Sequence, residues 1–351
     1  MTTQLVIDRP DDWHVHFRDA EVLGDVVGAT ARQFGRALVM PNLKPPVVTA
    51  EMAVAYRSRI LASLPQGLPF EPWMTLYLTD HTSPDTVRAA KDSGVVLAFK
   101  LYPAGATTNS DSGVTDLRHC RSALAEMERL GTVLCLHGEV TGQHDDVFDR
   151  EALFIDRILE PMRRDFPGLR LVFEHITTAE AADYVRQTSG DIAATITPQH
   201  LLLNRNSLFQ GGLRPHLYCL PVLKREHHRE ALLKVATSGH PRFFLGTDTA
   251  PHARHLKESD CGCAGCFSAL TALELYAGIF EAQGALDRLE AFASHHGADF
   301  YGLPRSTQKV ALKREPQVVP RSCRFGGDQV VPLLGGETID WTFAGIVSSR
   351  A

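Results

Sequence analysis

The sequence predicts an α/β fold, a closed (β/α)8 barrel of the TIM type, and three observations carry that expectation. Eight short apolar runs are spread along the chain, at 12–17, 37–40, 72–78, 95–101, 133–136, 169–173, 192–196 and 243–245. Helical stretches lie between most of them, as at 22–33, 52–61, 117–130 and 148–162, the alternation expected of buried parallel strands and crossover helices. Six of the eight runs end on a metal-ligand type or a hydrogen-bonding side chain, and a barrel gathers its C-terminal strand ends at one mouth. A doubly wound open sheet is the alternative.

Taken in order, the runs differ most at their tips. The first, Asp12-Trp13-His14-Val15-His16-Phe17, carries histidines at i and i+2, which a strand projects to one face. The second, Ala37-Leu38-Val39-Met40, leads to Asn42. The fourth ends in Lys100, and a lysine at a buried strand end is costly unless paired or chemically altered. Three readings stay open for it: a Schiff-base lysine, a lysine paired with a carboxylate, or a lysine carbamylated by carbon dioxide. The last would turn a cation into an anionic ligand with two oxygens. The fifth and sixth runs deliver His137 and His175, each entering a turn, and the eighth leads to Asp248 and His252. The third and seventh, ending at Leu78 and Ile196, offer nothing assignable. Four histidines, a lysine and a carboxylate suit a divalent metal such as zinc, although any one histidine alone also fits a buried hydrogen-bonded residue.

Composition narrows the function classes. Hydrophobic residues make up 44% and charged residues 22%, an ordinary globular balance that excludes disorder. A formal net charge of −5 leaves no basic face for nucleic acid or anionic lipid. No apolar run reaches membrane-spanning length, and Met1-Thr2-Thr3-Gln4 lacks the order of a signal peptide, so the expected location is the cytoplasm. The seven cysteines are odd in number and scattered outside one cluster, unlike a disulfide framework. Residues 1–351 are expected to form a single barrel domain with a short C-terminal extension from about 305.

The tips also fall into longer motifs. They are Asp12-Trp13-His14-Val15-His16-Phe17-Arg18-Asp19, Met40-Pro41-Asn42, Phe99-Lys100-Leu101-Tyr102-Pro103, Leu136-His137-Gly138-Glu139, Phe173-Glu174-His175-Ile176-Thr177 and Gly246-Thr247-Asp248-Thr249-Ala250-Pro251-His252. In this order they resemble the dihydroorotase family, in its compact monofunctional form, within the amidohydrolase superfamily of metal-dependent barrels. The resemblance runs from about residue 11 to about residue 340. The resemblance implies two zinc ions per chain, one held by His14, His16, Lys100 and Asp248, the other by Lys100, His137 and His175. Lys100 would be N6-carboxylated and would bridge them together with a hydroxide.

The resemblance further implies reversible closure of N-carbamoyl-L-aspartate to L-dihydroorotate, a step of pyrimidine synthesis, with Asp248 as general acid and base. Arg18, Asn42 and His252 would hold the substrate's carboxylate, and backbone groups near Leu220 and Ala264 would read the ring edge. The loop 103–113 is small, polar and bracketed by glycines, which by composition makes a mobile surface connector. By resemblance it is a lid that brings Thr107 and Thr108 onto the substrate. A homodimer is implied in the same way.

Two other enzymes of this kind, a hydantoinase or an allantoinase, share the HxH, lysine and aspartate. They are generally longer and carry an added β-sandwich built from both termini, whereas here the first barrel strand begins by about residue 12. A catalytically silent barrel serving as a scaffold is a further alternative. Cys261-Gly262-Cys263-Ala264-Gly265-Cys266 invites a structural zinc site, but three cysteines in six residues leave a ligand to find. A tight turn presenting the Ala264 backbone fits the spacing better.

Overall fold

The computed structural model describes residues 3–347. Eight parallel strands form one sheet in sequential order: β2 (Asp11–Val15), β3 (Arg36–Val39), β4 (Glu71–Leu78), β5 (Val96–Leu101), β6 (Val133–Leu136), β7 (Leu171–Phe173), β8 (Ile192–Ile196) and β9 (Phe243–Leu245). Every predicted run is a strand, with ends shifted by at most two residues. The ring closes through a bridge between Val15 and Thr249, and His16 N donates to Thr249 O at 2.9 Å. The barrel expectation holds, and the open sheet does not.

The strands read as apolar runs because helices cover their outer faces while side chains fill the inside. Thr49, Ser83 and Thr178 start the helices Ala50–Ala62, Pro84–Asp92 and Ala179–Gln187, each side chain accepting from a backbone N–H of the first turn. Inside, an apolar cluster of Trp13, Leu38, Ala98, Val133, Cys135, Val172, Ala193 and Phe244 fills the lower barrel. Alternation then places the next inward positions of the same strands nearer the mouth. These are Lys100, His137, Glu174 and Thr195, so the filling changes from apolar to polar along the axis.

The helix His296–Tyr301 plugs the bottom, with Tyr301 stacked on Trp13 at 4.6 Å between ring centroids. A three-stranded antiparallel sheet that the sequence did not announce joins both ends of the chain. In it β1 (Gln4–Asp8) pairs with β10 (Lys309–Lys313), which pairs with the strand Thr342–Val347. Its strands are short, and the paired residues of β1 and β10 lie about 300 positions apart, so no local pattern reveals that pairing. Among the described residues no helix is long and apolar enough to cross a membrane.

The seat of Trp13 depends on a missing side chain. Gly297 packs directly on the indole, and a methyl group there would run into the ring. Gly297→Ala should therefore destabilise the chain by about 1–3 kcal/mol through overpacking. Urea unfolding should show a lower midpoint with an unchanged slope; a midpoint equal to the parent's would show that the helix simply shifts.

Candidate metal centre

His14 sits on β2 and Lys100 on β5, while His16, His137, His175 and Asp248 follow the ends of β2, β6, β7 and β9. The structure brings all six together at one mouth, buried to 8% exposure or less. His14 Nε2 lies 3.3 Å from His16 Nε2, and Asp248 Oδ1 lies 3.4 and 3.1 Å from those two nitrogens. The His175 ring is 4.9 Å from the rings of both His14 and His137, measured between centroids. Lys100 Nζ stands 5.1 Å from the centroid of the Tyr102 ring and has no hydrogen-bond partner.

A second layer fixes how these rings face. His14 Nδ1 donates to Glu174 Oε2 at 2.8 Å, His16 Nδ1 to Asn42 Oδ1 at 2.8 Å, and His137 Nε2 to Glu139 Oε2 at 2.7 Å. Each outer bond holds the proton on one nitrogen and leaves the other free toward the centre, the usual arrangement behind metal-binding imidazoles. His175 Nδ1 is buried without a partner. Burial first, then the nearby Lys100 charge, pushes His14 and His175 well below the ordinary imidazole range. Burial also pushes Lys100 down. Burial raises the Asp248 carboxyl, but the close approach of His16 and His14 and the nearby Lys100 outweigh it and hold Asp248 below the usual carboxylate value. Neutral imidazoles, an anionic carboxylate and orphaned buried nitrogens fit a divalent cation.

Three site residues adopt left-handed backbone: Arg18 at φ 62°, His175 at 40° and Asp248 at 46°. Such conformations cost non-glycine residues about 1–3 kcal/mol each and persist only where neighbours fix them. His175 N donates to Thr195 Oγ1 at 2.6 Å, Asp248 N to His14 O at 2.9 Å, and Arg18 O accepts from Tyr56 at 2.5 Å. Asp12, fully buried, accepts from Thr247 N at 2.9 Å, Thr247 Oγ1 at 2.6 Å and His14 N at 3.2 Å, stitching the first strand to the last. Burial pushes its carboxyl up to about 7.

The sequence reading missed this supporting set. Glu139 and Glu174 stood inside the quoted motifs, where their position beside a histidine was the available signal. The two strands that offered nothing assignable supply Tyr77 and Thr195, and Thr195 Oγ1 donates to Glu174 Oε2 at 2.6 Å.

On the open side, Arg18 Nε donates to Pro251 O at 2.9 Å, and its Nη2 lies 2.9 Å from His252 Nε2. That same His252 nitrogen is 3.0 Å from Ala264 O. The 103–113 loop lies down over the mouth instead of standing in solvent. Thr108 O accepts from Asn42 Nδ2 at 3.1 Å, Thr108 Oγ1 donates to Ala264 O at 3.4 Å, and Asn109 O accepts from Tyr77 at 3.3 Å. A cavity of about 20 Å³ remains, lined by Arg18, Tyr102, Thr107, Thr108, Leu220 and Ala264 with several of the donors.

Cys261 and Cys263 have sulfurs 3.7 Å apart, Cys266 is buried, and among the described residues no three-donor metal group includes a cysteine. A second donor group, Asp8 with Glu290 and His295, lies away from the mouth and already carries the Lys309 ammonium, 2.7 Å from Asp8 Oδ1.

Known proteins resemble this chain closely. The amidohydrolase family model matches residues 7–318. A dihydroorotase of Ralstonia nicotianae is 63% identical over 341 residues, covering 97% of this chain and 99% of the relative. The crystal structure of a dihydroorotase from Campylobacter jejuni superposes with a TM-score of 0.90 at 33% identity, covering 98% of each chain. That of a Saccharomyces cerevisiae dihydroorotase in complex with 5-fluoroorotic acid gives 0.91 at 30% identity, covering 98% of this chain and 99% of that one.

Glu174 is the outer partner best placed for a test. Glu174→Gln keeps the shape but removes the charge that orients His14, so zinc affinity should fall by about 10- to 100-fold. Zinc retained after dialysis against graded chelator measures this, and retention equal to the parent's would remove Glu174 from the ligand support.

Proposed function

The chain belongs to the dihydroorotases of the amidohydrolase family, and from that membership we propose how its own residues perform the reaction. It catalyses the reversible closure of N-carbamoyl-L-aspartate to L-dihydroorotate, a hydrolysis of a cyclic amide when run backwards. The family is metal-dependent. The observation that carries the reading of this site is the convergence of four histidines, Lys100 and Asp248, three of the histidines already oriented by outer partners.

His14, His16, Lys100 and Asp248 would hold one zinc, and Lys100, His137 and His175 the other, with Lys100 N6-carboxylated as the shared ligand. Supporting that modification, Lys100 is fully buried and its amine has no hydrogen-bond partner. A Schiff base would need it as a nucleophile, and the surrounding imidazoles have no part in that reading. Two metals held there would supply a more acidic water and a polarised substrate carbonyl.

The remaining work falls to side chains. In ring opening Asp248 takes the proton of the attacking water and delivers it to the departing ring nitrogen; in ring closure it moves the proton the other way. Arg18 and His252, adjacent across the mouth, bind the substrate's carboxylate, Arg18 by its planar fork. Asn42 joins them by exchanging its bond to the Thr108 carbonyl for one to the carboxylate. Backbone groups at Leu220 and Ala264 face the ring edge. The lid contributes the Thr107 and Thr108 hydroxyls, and its closure excludes water.

Residues 1–351 would work as one catalytic unit with an extension from about 305, a reading supported by the pairing of β10 onto β1 and of the last strand onto β10. The homodimer rests on the resemblance alone; the cytoplasmic location and the lack of a nucleic-acid or membrane partner rest on the charge balance and the absence of a long apolar run in the sequence.

A spectrophotometric assay of dihydroorotate hydrolysis on zinc-loaded protein tests the assignment directly. In that assay Asp248→Asn should lower turnover by about 10²- to 10⁴-fold while some metal stays bound. Near-normal turnover with full metal would exclude Asp248 as the proton carrier.

The lid makes a separate prediction. A hydrogen bond to a charged group contributes about 1.5–3 kcal/mol, or roughly 10- to 150-fold in rate if it forms mainly in the transition state. Thr107→Ala and Thr108→Ala should each lose turnover on that scale with zinc content unchanged. Because both hydroxyls depend on one closure, the double variant should lose less than the product of the singles. Wild-type kinetics in both singles would reduce the loop to a connector.

A further inference from the structure

We propose that Glu151 is a positioning residue that sets the affinity of the His137 and His175 half of the centre and leaves the His14, His16 and Asp248 half untouched. The inference rests on the two-metal reading above. Glu151 is fully buried on the helix Arg150–Phe154, which ends the loop leaving His137. Its carboxylate takes every donor of one short stretch of the neighbouring loop. Thr177 N lies 3.0 and 2.9 Å from its two oxygens, Thr177 Oγ1 donates at 2.9 Å, Thr178 N at 2.8 Å and Thr178 Oγ1 at 2.5 Å.

That stretch begins two residues after His175. The turn at His175 has φ 40°, so it holds its shape only under constraint from both sides. Upstream the constraint is Thr195, which accepts from His175 N and, through its backbone, from Ile176 N. Downstream it is Glu151. Because the same glutamate belongs to the loop that leaves His137, with Arg150 O accepting from Val140 N at 3.3 Å, one carboxylate ties together the loops of both histidines.

The fold alone does not call for a charge here. Thr178 already caps the helix Ala179–Gln187 through its own side chain, which accepts from Ala181 N at 3.2 Å. A buried carboxylate is expensive unless it is well bonded. This one makes no ion pair among the described residues, and the cation that acts most on it, Lys224, bonds instead to Val222 O at 3.1 Å. Four donors converging on two oxygens meet that cost and leave the peptide between Thr177 and Thr178 without freedom. The other half of the centre has its own supports, Asp12, Glu174 and Asn42, and none of these touches Glu151.

The test counts zinc on the full chain, loaded with zinc in bicarbonate buffer and then equilibrated at chelator-buffered free zinc. Wild type should hold two per chain. Glu151→Gln, which puts an amide NH2 where only donors converge, should lose one of them at about 10- to 100-fold higher free zinc and keep the other at the wild-type concentration. Thr177→Val removes one donor without disturbing the cap and should shift the same zinc less. Equal weakening of both zincs, or unchanged binding with only a lower melting temperature, would overturn the proposal. If Glu151→Gln does not fold, Thr177→Val decides by the same criteria. A wild-type chain that never holds more than one zinc would instead overturn the two-metal reading, and this inference with it.

Discussion

Everything at the mouth of this barrel depends on keeping buried polar atoms bonded. Four imidazoles, a lysine and several carboxylates sit in a space from which water is largely excluded, and an unpaired polar group there costs several kcal/mol. The chain meets that demand in layers. Imidazole protons go outward to Glu174, Asn42 and Glu139, and Glu174 in turn takes the Thr195 hydroxyl. Buried atoms without a partner remain around the centre: Lys100 Nζ, His175 Nδ1, the Tyr102 hydroxyl and the second oxygens of Glu139 and Glu174.

The barrel itself is subject to the same demand at its seam. Strands β2 and β9 do not share a long ladder; they meet through the Val15 to Thr249 bridge, the bonds from His16 N to Thr249 O and from Asp248 N to His14 O, and the two Thr247 donors that Asp12 accepts. The seam also carries His14 and Asp248, so closing the fold and spacing these two candidate donors are one event. A carboxyl that burial pushes up to about 7 stays useful there in either protonation state, because at least one oxygen still accepts.

The barrel strands were legible because parallel strands covered on both faces read as continuous apolar runs. The ligand types were legible because a lysine or a histidine at such a run's end has few structural reasons to be there. Arg18, His252 and Ala264 stand around the mouth linked to one another, and Asn42 bonds to His16 and to the Thr108 carbonyl. Tyr77 and Thr195 were hidden, since a tyrosine or threonine in a strand is also what the strand prefers for itself. The left-handed turns at His175 and Asp248 were hidden too, because no glycine marks them. The terminal sheet was invisible because its pairing spans the whole chain.

The space left beneath the 103–113 loop, about 20 Å³, is enough for roughly one water molecule and far too small for a ring bearing a carboxylate. The loop reaches this position by bonding to Asn42 and Ala264, the groups expected to meet the substrate. On the lid reading, the loop would compete with the substrate for these groups. A substrate would meet only the fraction of molecules whose loop is raised, and its apparent affinity would be weaker than the intrinsic one by that fraction. Substitutions that loosen the loop would then raise the rate of association while weakening the grip after closure, so a resting state that is too open and one that is too shut both limit flux at low substrate.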